Sequence, residues 1–441
     1  MNLNWMEVRK EAVRILSDLI RIKTVNPPGN ESEAALYLQQ LLNEAGIEAT
    51  IYASASNRGN LVATLKGSGR ARPLILLSHL DVVAANPLQW SHPPFAAEVA
   101  DGYVWGRGAL DMKGMLTMEL MALLLYKRSG QIPERDLILV AAADEEAGSR
   151  FGMEWLLEQD IPEIKAAEYV INEGGEGGIW HDCPYFSCQN GEKGILWLKL
   201  TVKGTAGHAS MPAKDNAIDR MAAVLNRLKR HKQLMQLCQT SRGFLTALAR
   251  KRGLHLPEDA AAADYSLRMF ASRHFRENRS VQAMLYNTVT PTIIRAGTKT
   301  NVLPETCELT LDCRLVPGQT PEEFLTELKG IINDNEIEYE VLQAAAPTES
   351  ALNTTLYKEM EQAVQKIMPE AMLVPYLSPG GTDSRYFRQR GITAYGFMPV
   401  IINETELQRM HGIDERLSLD NLELGTKILY EVVQRVAANC Q

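Results

Sequence analysis

Four apolar residues, Leu74-Ile75-Leu76-Leu77, follow Pro73 and run straight into Ser78-His79-Leu80-Asp81. An apolar run of this length reads as a strand, Leu74–Val83, buried on both faces as in a parallel sheet. That pattern constrains the chain to an α/β architecture more than any other stretch does. The carboxyl end presents an imidazole and, two residues on, a carboxylate. Residues i and i+2 of a strand share a face, so His79 and Asp81 are expected to point the same way. A metal-bound histidine commonly gives its other ring N–H to a carboxylate. Open α/β sheets bind ligands beyond the carboxyl ends of their strands. The plain alternative is a strand-end histidine beside a solvated aspartate.

At 441 residues the chain exceeds one ordinary core, so two domains are expected. Its 45% hydrophobic and 23% charged content suits a soluble globular protein. A net charge of −8 without a basic tract argues against a nucleic-acid partner. Cys183, Cys188, Cys238, Cys307, Cys313 and Cys440 form no Cys-x-x-Cys pair and are too sparse for a disulfide scaffold. They read as reduced. The first residues, Met1-Asn2-Leu3-Asn4-Trp5-Met6-Glu7, lack the pattern of a secretory leader. No apolar stretch approaches the roughly 18–20 residues that span a membrane. The expectation is a cytoplasmic protein with no membrane partner.

Apolar positions from Trp5 to Ile20 recur at helical spacing. Thr24–Asn30 is a turn, and Asn30 or Ser32 suits the cap of a second helix reaching Ala45. Strands follow over Ile47–Ala53 and Asn60–Lys66. Asn86 to Gly106 reads as a Pro- and aromatic-rich loop, and His92 sits there beside prolines. Gly106-Arg107-Gly108-Ala109-Leu110-Asp111-Met112-Lys113-Gly114 then precedes a helix, Met115–Lys127, that is apolar almost all round. Asp111 thus stands at a buried helix N-terminus, where the dipole favours a carboxylate. It is either a plain cap or a ligand. Asp136–Ala143 is a second buried strand, ending in Asp144-Glu145-Glu146. Three acids at the end of a core strand are costly to desolvate unless a cation compensates or the turn is solvated. A helix over Ser149–Glu158 and a short strand leading to Glu173-Gly174-Gly175 repeat the pattern. Ligand-type residues delivered at successive strand ends suit a doubly wound α/β domain.

Near residue 188 the character changes. Ile195–Val202 alternates apolar and polar residues, as a half-exposed antiparallel strand does. Gly204–Pro212 is a loop carrying His208, and a helix over Asn216–Lys229 follows. Residues 230–287 are helical or irregular and basic in places. Val289–Ala296 and Thr306–Leu315 read as strands, Pro321–Asp334 as a helix and Glu336–Leu342 as a strand. The order β-α-β-β-α-β resembles a ferredoxin-like split unit with an insertion after its first helix. The expected organisation is a doubly wound mixed-sheet domain over 1–187 and 349–441, with an α+β domain inserted at 188–348. In the returning part, a helix over Thr355–Lys366 precedes Ser378-Pro379-Gly380-Gly381-Thr382-Asp383, a turn able to offer backbone N–H groups to an anion. His411 precedes a final helix, Leu419–Ala438, and reads by itself as a surface-loop residue.

Taken together, His79-x-Asp81, Asp111 in Gly-x-Gly-x-x-Asp-x-Lys-Gly, Asp144-Glu145-Glu146, Glu173-Gly174 and a late His411 resemble the M20 family of zinc metallopeptidases. That family includes carboxypeptidases, aminoacylases and succinyl-diaminopimelate desuccinylases. The resemblance covers nearly the whole chain, and the Glu-Gly-Gly setting of Glu173 resembles the carboxypeptidase S and aminoacylase branch. It implies two Zn²⁺ ions, one held by His79 and Glu173, the other by Glu146 and His411, with Asp111 bridging. Co²⁺ or Mn²⁺ would also suit such ligands. It further implies that Asp81 orients His79 and that Glu145 is the general base toward a water between the metals.

The inserted domain would act as a lid and dimerisation domain. His208 matches the family's lid histidine, which reaches a dimer partner's active site and steadies the oxyanion, unless it is a surface residue. Asn301, in Asn301-Val302-Leu303-Pro304, matches a substrate-contact turn. Arg314 resembles the family's carboxylate-binding arginine, with a surface ion pair as the alternative. Gly380 and Gly381 would offer donors near the same carboxylate. The 230–287 segment is longer than a minimal lid needs. The expected reaction is cleavage of an amide bond beside a free carboxylate in small peptides. The alternative is deacylation of N-acyl amino acids. A non-catalytic binding protein on this fold is a third reading, and it is disfavoured because Glu145 and every ligand position are filled.

Overall fold

The computed structural model describes residues 3–438. Met1, Asn2 and Cys440, named above, lie outside them. The chain divides into two compact units. One comprises Met1–Asn190, Ser350–Pro375 and Thr382–Gln441; the other comprises Gly191–Glu349 and Tyr376–Gly381.

The first unit is built on a mixed sheet. Its middle is parallel: Arg135–Ala142, Ala71–His79, Tyr169–Asn172 and Thr393–Gly396 lie side by side in that order. Arg58–Leu65 and Glu48–Ala55 extend one side antiparallel, and Cys183–Glu192 lies antiparallel on the other. Alternate residues of the central strands enter opposite cores, as a pleated strand requires. Leu74, Leu76, Leu137 and Leu139 join the helices Trp5–Arg21, Glu31–Glu44, Lys113–Arg128 and Leu419–Ala437. Ile75, Leu77, Ile138 and Val140 join Met153, Leu156, Ile164 and Phe387. Helices on both faces explain why these strands read as unbroken apolar runs. In Lys113–Arg128 every residue from Lys113 to Tyr126 is buried.

Several boundaries differ from expectation. The first core strand ends at His79, because Leu80 N–H turns to the Ala142 carbonyl and Val82 pairs with the chain at Val25. The stretch 86–106 is not one loop. It holds a short 3-10 turn, Pro87–Gln89, and two paired strands, Glu98–Ala100 and Tyr103–Trp105, the second of which also pairs with Arg416–Ser418. The helix expected from Ser149 starts at Met153, since Ser149 closes the preceding turn onto the Asp144 carbonyl.

The second unit has an antiparallel sheet ordered Thr288–Ala296, Thr306–Leu315, Gly194–Lys203, Glu338–Ala345. The apolar residues of the two middle strands alternate into one core with the helices Ala217–Arg230 and Pro321–Ile332. Pro321–Ile332 begins with a full capping box of Thr320 and Glu323. The segment 230–287 forms three helices, Gln239–Lys251, Ala260–His274 and Arg279–Leu285. Among the described residues no helix is long and apolar enough to cross a membrane.

Candidate metal centre and active site

Parallel strands with aligned ends deliver side chains to one edge of the sheet. His79 lies opposite Ala142 in the ladder, so His79 and the Asp144-Glu145-Glu146 turn emerge together. Glu173 follows the end of the neighbouring strand Tyr169–Asn172. The Glu173 carbonyl packs so closely on Gly396 that a Cβ there would lie 2.1 Å away. Asp111 comes from the loop before Lys113–Arg128; the helix N-cap is Met112, so Asp111 is no helix cap. His411 comes from the turn before Arg416–Ser418.

These residues meet around the Asp111 carboxylate. His79 Nε2 lies 3.0 Å from Asp111 Oδ1 and 3.6 Å from Glu173 Oε2. On the other side, His411 Nε2 lies 2.9 Å from Asp111 Oδ2 and 3.1 Å from Glu146 Oε1. Ligand atoms of His79, Glu145 and Glu173 fall within 4.8 Å of one another, as do those of His79, Asp111 and Glu146. The Glu145 carboxylate has no hydrogen-bond partner among the described residues.

The electrostatics show what the cluster lacks. Burial raises Glu173 to about 7, with Asp111 and Glu146 pushing the same way against His79. Burial and the Glu173 charge push Glu145 well above the carboxylate range. Burial opposes ionisation of Asp111 too, yet hydrogen bonds from His411 and His79 hold it low. His411, bonded to Asp111 and Glu146, rises to about 10. Burial alone would lower His79, but Glu173, Asp111 and Asp81 raise it well above its ordinary value. Among the described residues, four carboxylates thus converge on positive charge that only the two imidazoles supply. Imidazole nitrogen and carboxylate oxygen are the donors that divalent Zn²⁺, Co²⁺ or Mn²⁺ take, so the residues fit a pair of such ions.

The surrounding network holds residues that sequence reasoning missed. Because the strand ends at His79, His79 Nδ1 donates to the backbone carbonyl of Asp81 at 2.9 Å, and the Asp81 carboxylate stands 3.4 Å off. The two residues thus stand on one side, as expected, although the strand itself ends at His79. The Asp81 carboxylate also accepts from the backbone N–H groups of Glu145 (3.1 Å) and Glu146 (3.2 Å) and from Asn26 Nδ2 (2.8 Å). Asn26 also donates to Asp144 at 2.9 Å. Asp144, with φ of 67°, points away from the other two acids and accepts from Arg58 and Phe151 N–H. Arg58 also pairs with the fully buried Glu31. The only sequence sign of Asn26 is its place in the Asn-Pro-Pro-Gly turn. Ser149 donates to the buried Asp383. His92 pairs instead with Glu98 and stacks on Trp105.

Within the second unit, His208 and Asn301 are neighbours: Gly207–His208 pairs with Val302–Leu303, and Ala209 N–H donates to the Asn301 carbonyl. His208 is exposed, and its Nδ1 accepts from Ser210 N–H at 3.2 Å. That leaves the neutral ring's proton on Nε2. Arg314 grips Asp312 through Nε (2.7 Å) and Nη2 (3.1 Å) and reaches the Pro379 carbonyl at 3.3 Å. Gly380 and Gly381 are exposed, and Gly380 N–H donates to Ser378 Oγ.

The chain is similar to known proteins over most of its length. The family model described as Peptidase family M20/M25/M40 matches residues 75–435. The N-fatty-acyl-amino acid synthase/hydrolase PM20D1 of Xenopus tropicalis is 29% identical, covering 97% of this chain and 86% of its own. A probable carboxypeptidase S-like 2 of Dictyostelium discoideum is 28% identical, covering 85% of this chain and 74% of its own. An M20 family metallo-carboxypeptidase structure, Sso-CP2 from Sulfolobus solfataricus, superposes with a TM-score of 0.70 at 20% identity, covering 97% of this chain and 99% of its own. The chain belongs to the peptidase family M20/M25/M40.

Proposed function

We propose that this protein is a two-metal hydrolase that cleaves an amide bond beside a free carboxylate in small peptides. The observation that carries the reading is the division of Asp111, one oxygen toward His79 and Glu173, the other toward His411 and Glu146. His79 and Glu173 would hold one Zn²⁺, His411 and Glu146 the second, and Asp111 both. Such a pair of cations polarises a carbonyl oxygen and acidifies water. The chain supplies the rest. Glu145, whose carboxylate is spent on no other described residue, takes a proton from the attacking water and passes it to the leaving amine. Asp81 fixes the turn on which Glu145 and Glu146 stand. His208, with its proton on Nε2, donates to the developing oxyanion. Arg314, Asn301 and the backbone at Gly380 and Gly381 receive the substrate carboxylate end, and Asp312 must then share its guanidinium.

N-acyl amino acids form the second substrate reading, favoured by the relative named for N-fatty-acyl-amino acids. We further propose a ferredoxin-like lid in the second unit that also forms a homodimer. The exposed Ile293 and Ile294 on the edge strand Thr288–Ala296 support that contact. A reducing, cytoplasmic setting suits the free, buried Cys183, Cys188, Cys238, Cys307 and Cys313. The test is a hydrolysis panel on zinc-loaded protein: dipeptides against N-acetyl, N-succinyl and long-chain N-acyl amino acids. Turnover of none of them would sink both readings. Glu145→Gln should keep the bound metal and lose about 10²–10⁴-fold in turnover.

A further inference from the structure

We infer that Glu415, together with Arg107, is a positioning residue that sets the spacing of Asp111 and His411 and so the affinity of the second metal position. The inference rests on the two-metal reading above. Glu415 is fully buried, and its carboxylate accepts four N–H groups. Oε1 takes Leu110 N–H (2.8 Å) and Asp111 N–H (3.0 Å). Oε2 takes Arg107 Nη1 (2.6 Å) and Gly108 N–H (3.1 Å). The other end of the guanidinium, Nη2, reaches the carbonyl of Gly412, the residue after His411, at 2.7 Å. One buried ion pair thus ties the loop that carries Asp111 to the loop that carries His411.

Both loops need such a tie. Gly108 has a φ of +88°, and a Cβ there would lie 2.9 Å from Val82. His411 and Asp414 both hold a φ of 58°, a region that L residues seldom adopt. The first metal position is secured differently, because His79 ends a strand and Glu173 directly follows one, so the sheet ladder holds both. The two positions therefore depend on the clamp unequally.

The test is a zinc titration of the metal-free full-length protein by equilibrium dialysis with elemental analysis. Wild type should take two Zn²⁺. Glu415→Gln, which turns an amide N–H toward one of the donors, should bind the first ion as wild type does and the second about 10–100-fold more weakly. Added zinc should restore its turnover. Arg107→Lys, which keeps the charge and loses the fork, should weaken the second ion by less. Arg135→Met breaks another buried arginine's pair, with Glu168, at the opposite edge of the sheet. It should lower stability and leave both affinities unchanged, which separates positioning from mere support. If Glu415→Gln does not fold, Arg107→Lys decides alone. Wild-type affinity for both ions in the variants, or equal loss at both positions, overturns the inference while leaving the two-metal reading intact. A wild type that takes fewer than two ions overturns both.

Discussion

The two units hold their candidate residues in opposite ways. In the first, the partners are brought together by the fold. Asp111 meets His79 across 32 positions, Glu146 meets His411 across 265, and Arg107 meets Glu415 across 308. In the second, the partners are mostly local. His208 bonds Ser210, Arg314 bonds Asp312 and Gly380 bonds Ser378, each only two positions away. The residues suited to chemistry are held by contacts across the sheet, whereas the side-chain bonds of those suited to recognition run mainly to near neighbours, the reach of Arg314 to the Pro379 carbonyl excepted. Losing a fold-locked residue should disturb metal and stability together, while losing a locally held one should change turnover or affinity and little else.

Chelation is the widest break of this contrast. Removing metal should abolish turnover and lower the melting temperature, because an ion that binds only the native state stabilises it by mass action. Zinc should restore both, and an unchanged melting temperature would contradict a metal held in the buried network. Next in size, His208→Ala should lose about 10²–10³-fold in kcat at unchanged metal content, as removal of one oxyanion donor does. A fall in metal content there would erase the distinction between the units. Arg314→Met should raise KM for carboxylate-bearing substrates about 10–150-fold, the equivalent of a charged hydrogen bond of roughly 1.5–3 kcal/mol. Carboxamide analogues should show no comparable change.

The smallest effect concerns Lys193, a residue of the second unit that breaks its pattern. It is buried, and Nζ donates to the Ala283 and Tyr286 carbonyls, 90 and 93 positions away. Burial, then the Arg314 charge, lowers its pKa to about 8. Between that value and the unfolded value near 10.4 the native state binds fewer protons than the unfolded one, so stability gained from this group rises with pH. Below pH 8 the group is charged in both states and its burial penalty stays. Urea midpoints measured from pH 7.5 to 10 should rise more in wild type than in Lys193→Met.

The central strands were legible in sequence because burial on both faces leaves an unbroken apolar run, as in Leu74–Leu77 and Leu137–Ala143. The residues at their ends stood out because acids and histidine are conspicuous after such runs. His411 did not, since a histidine in a polar turn looks the same whether or not its ring faces a carboxylate; only the family resemblance singled it out. Asn26, Arg58 and Glu415 stayed hidden for a related reason. Each acts on a backbone or side chain far away in sequence, and no local pattern distinguishes them from ordinary turn or strand polar residues. Asp81 stands beside His79 as its place two residues on suggests, but its bonds to the backbone of Glu145 and Glu146, 64 and 65 positions away, leave no local sign.

The order of the central sheet carries a consequence for synthesis. Thr393–Gly396 lies between Tyr169–Asn172 and Cys183–Glu192, so a strand made late separates two made early. A chain growing from its amino end cannot close that sheet until the whole of Gly191–Glu349 has been translated and Thr393–Gly396 has followed it. His79, Asp111, Glu145, Glu146 and Glu173 all precede that strand in the chain, whereas His411 and Glu415 follow it. On the two-metal reading, the nascent polypeptide carries no finished hydrolytic centre, and the last loop to leave the exit tunnel before Leu419–Ala437 is the one that arms it.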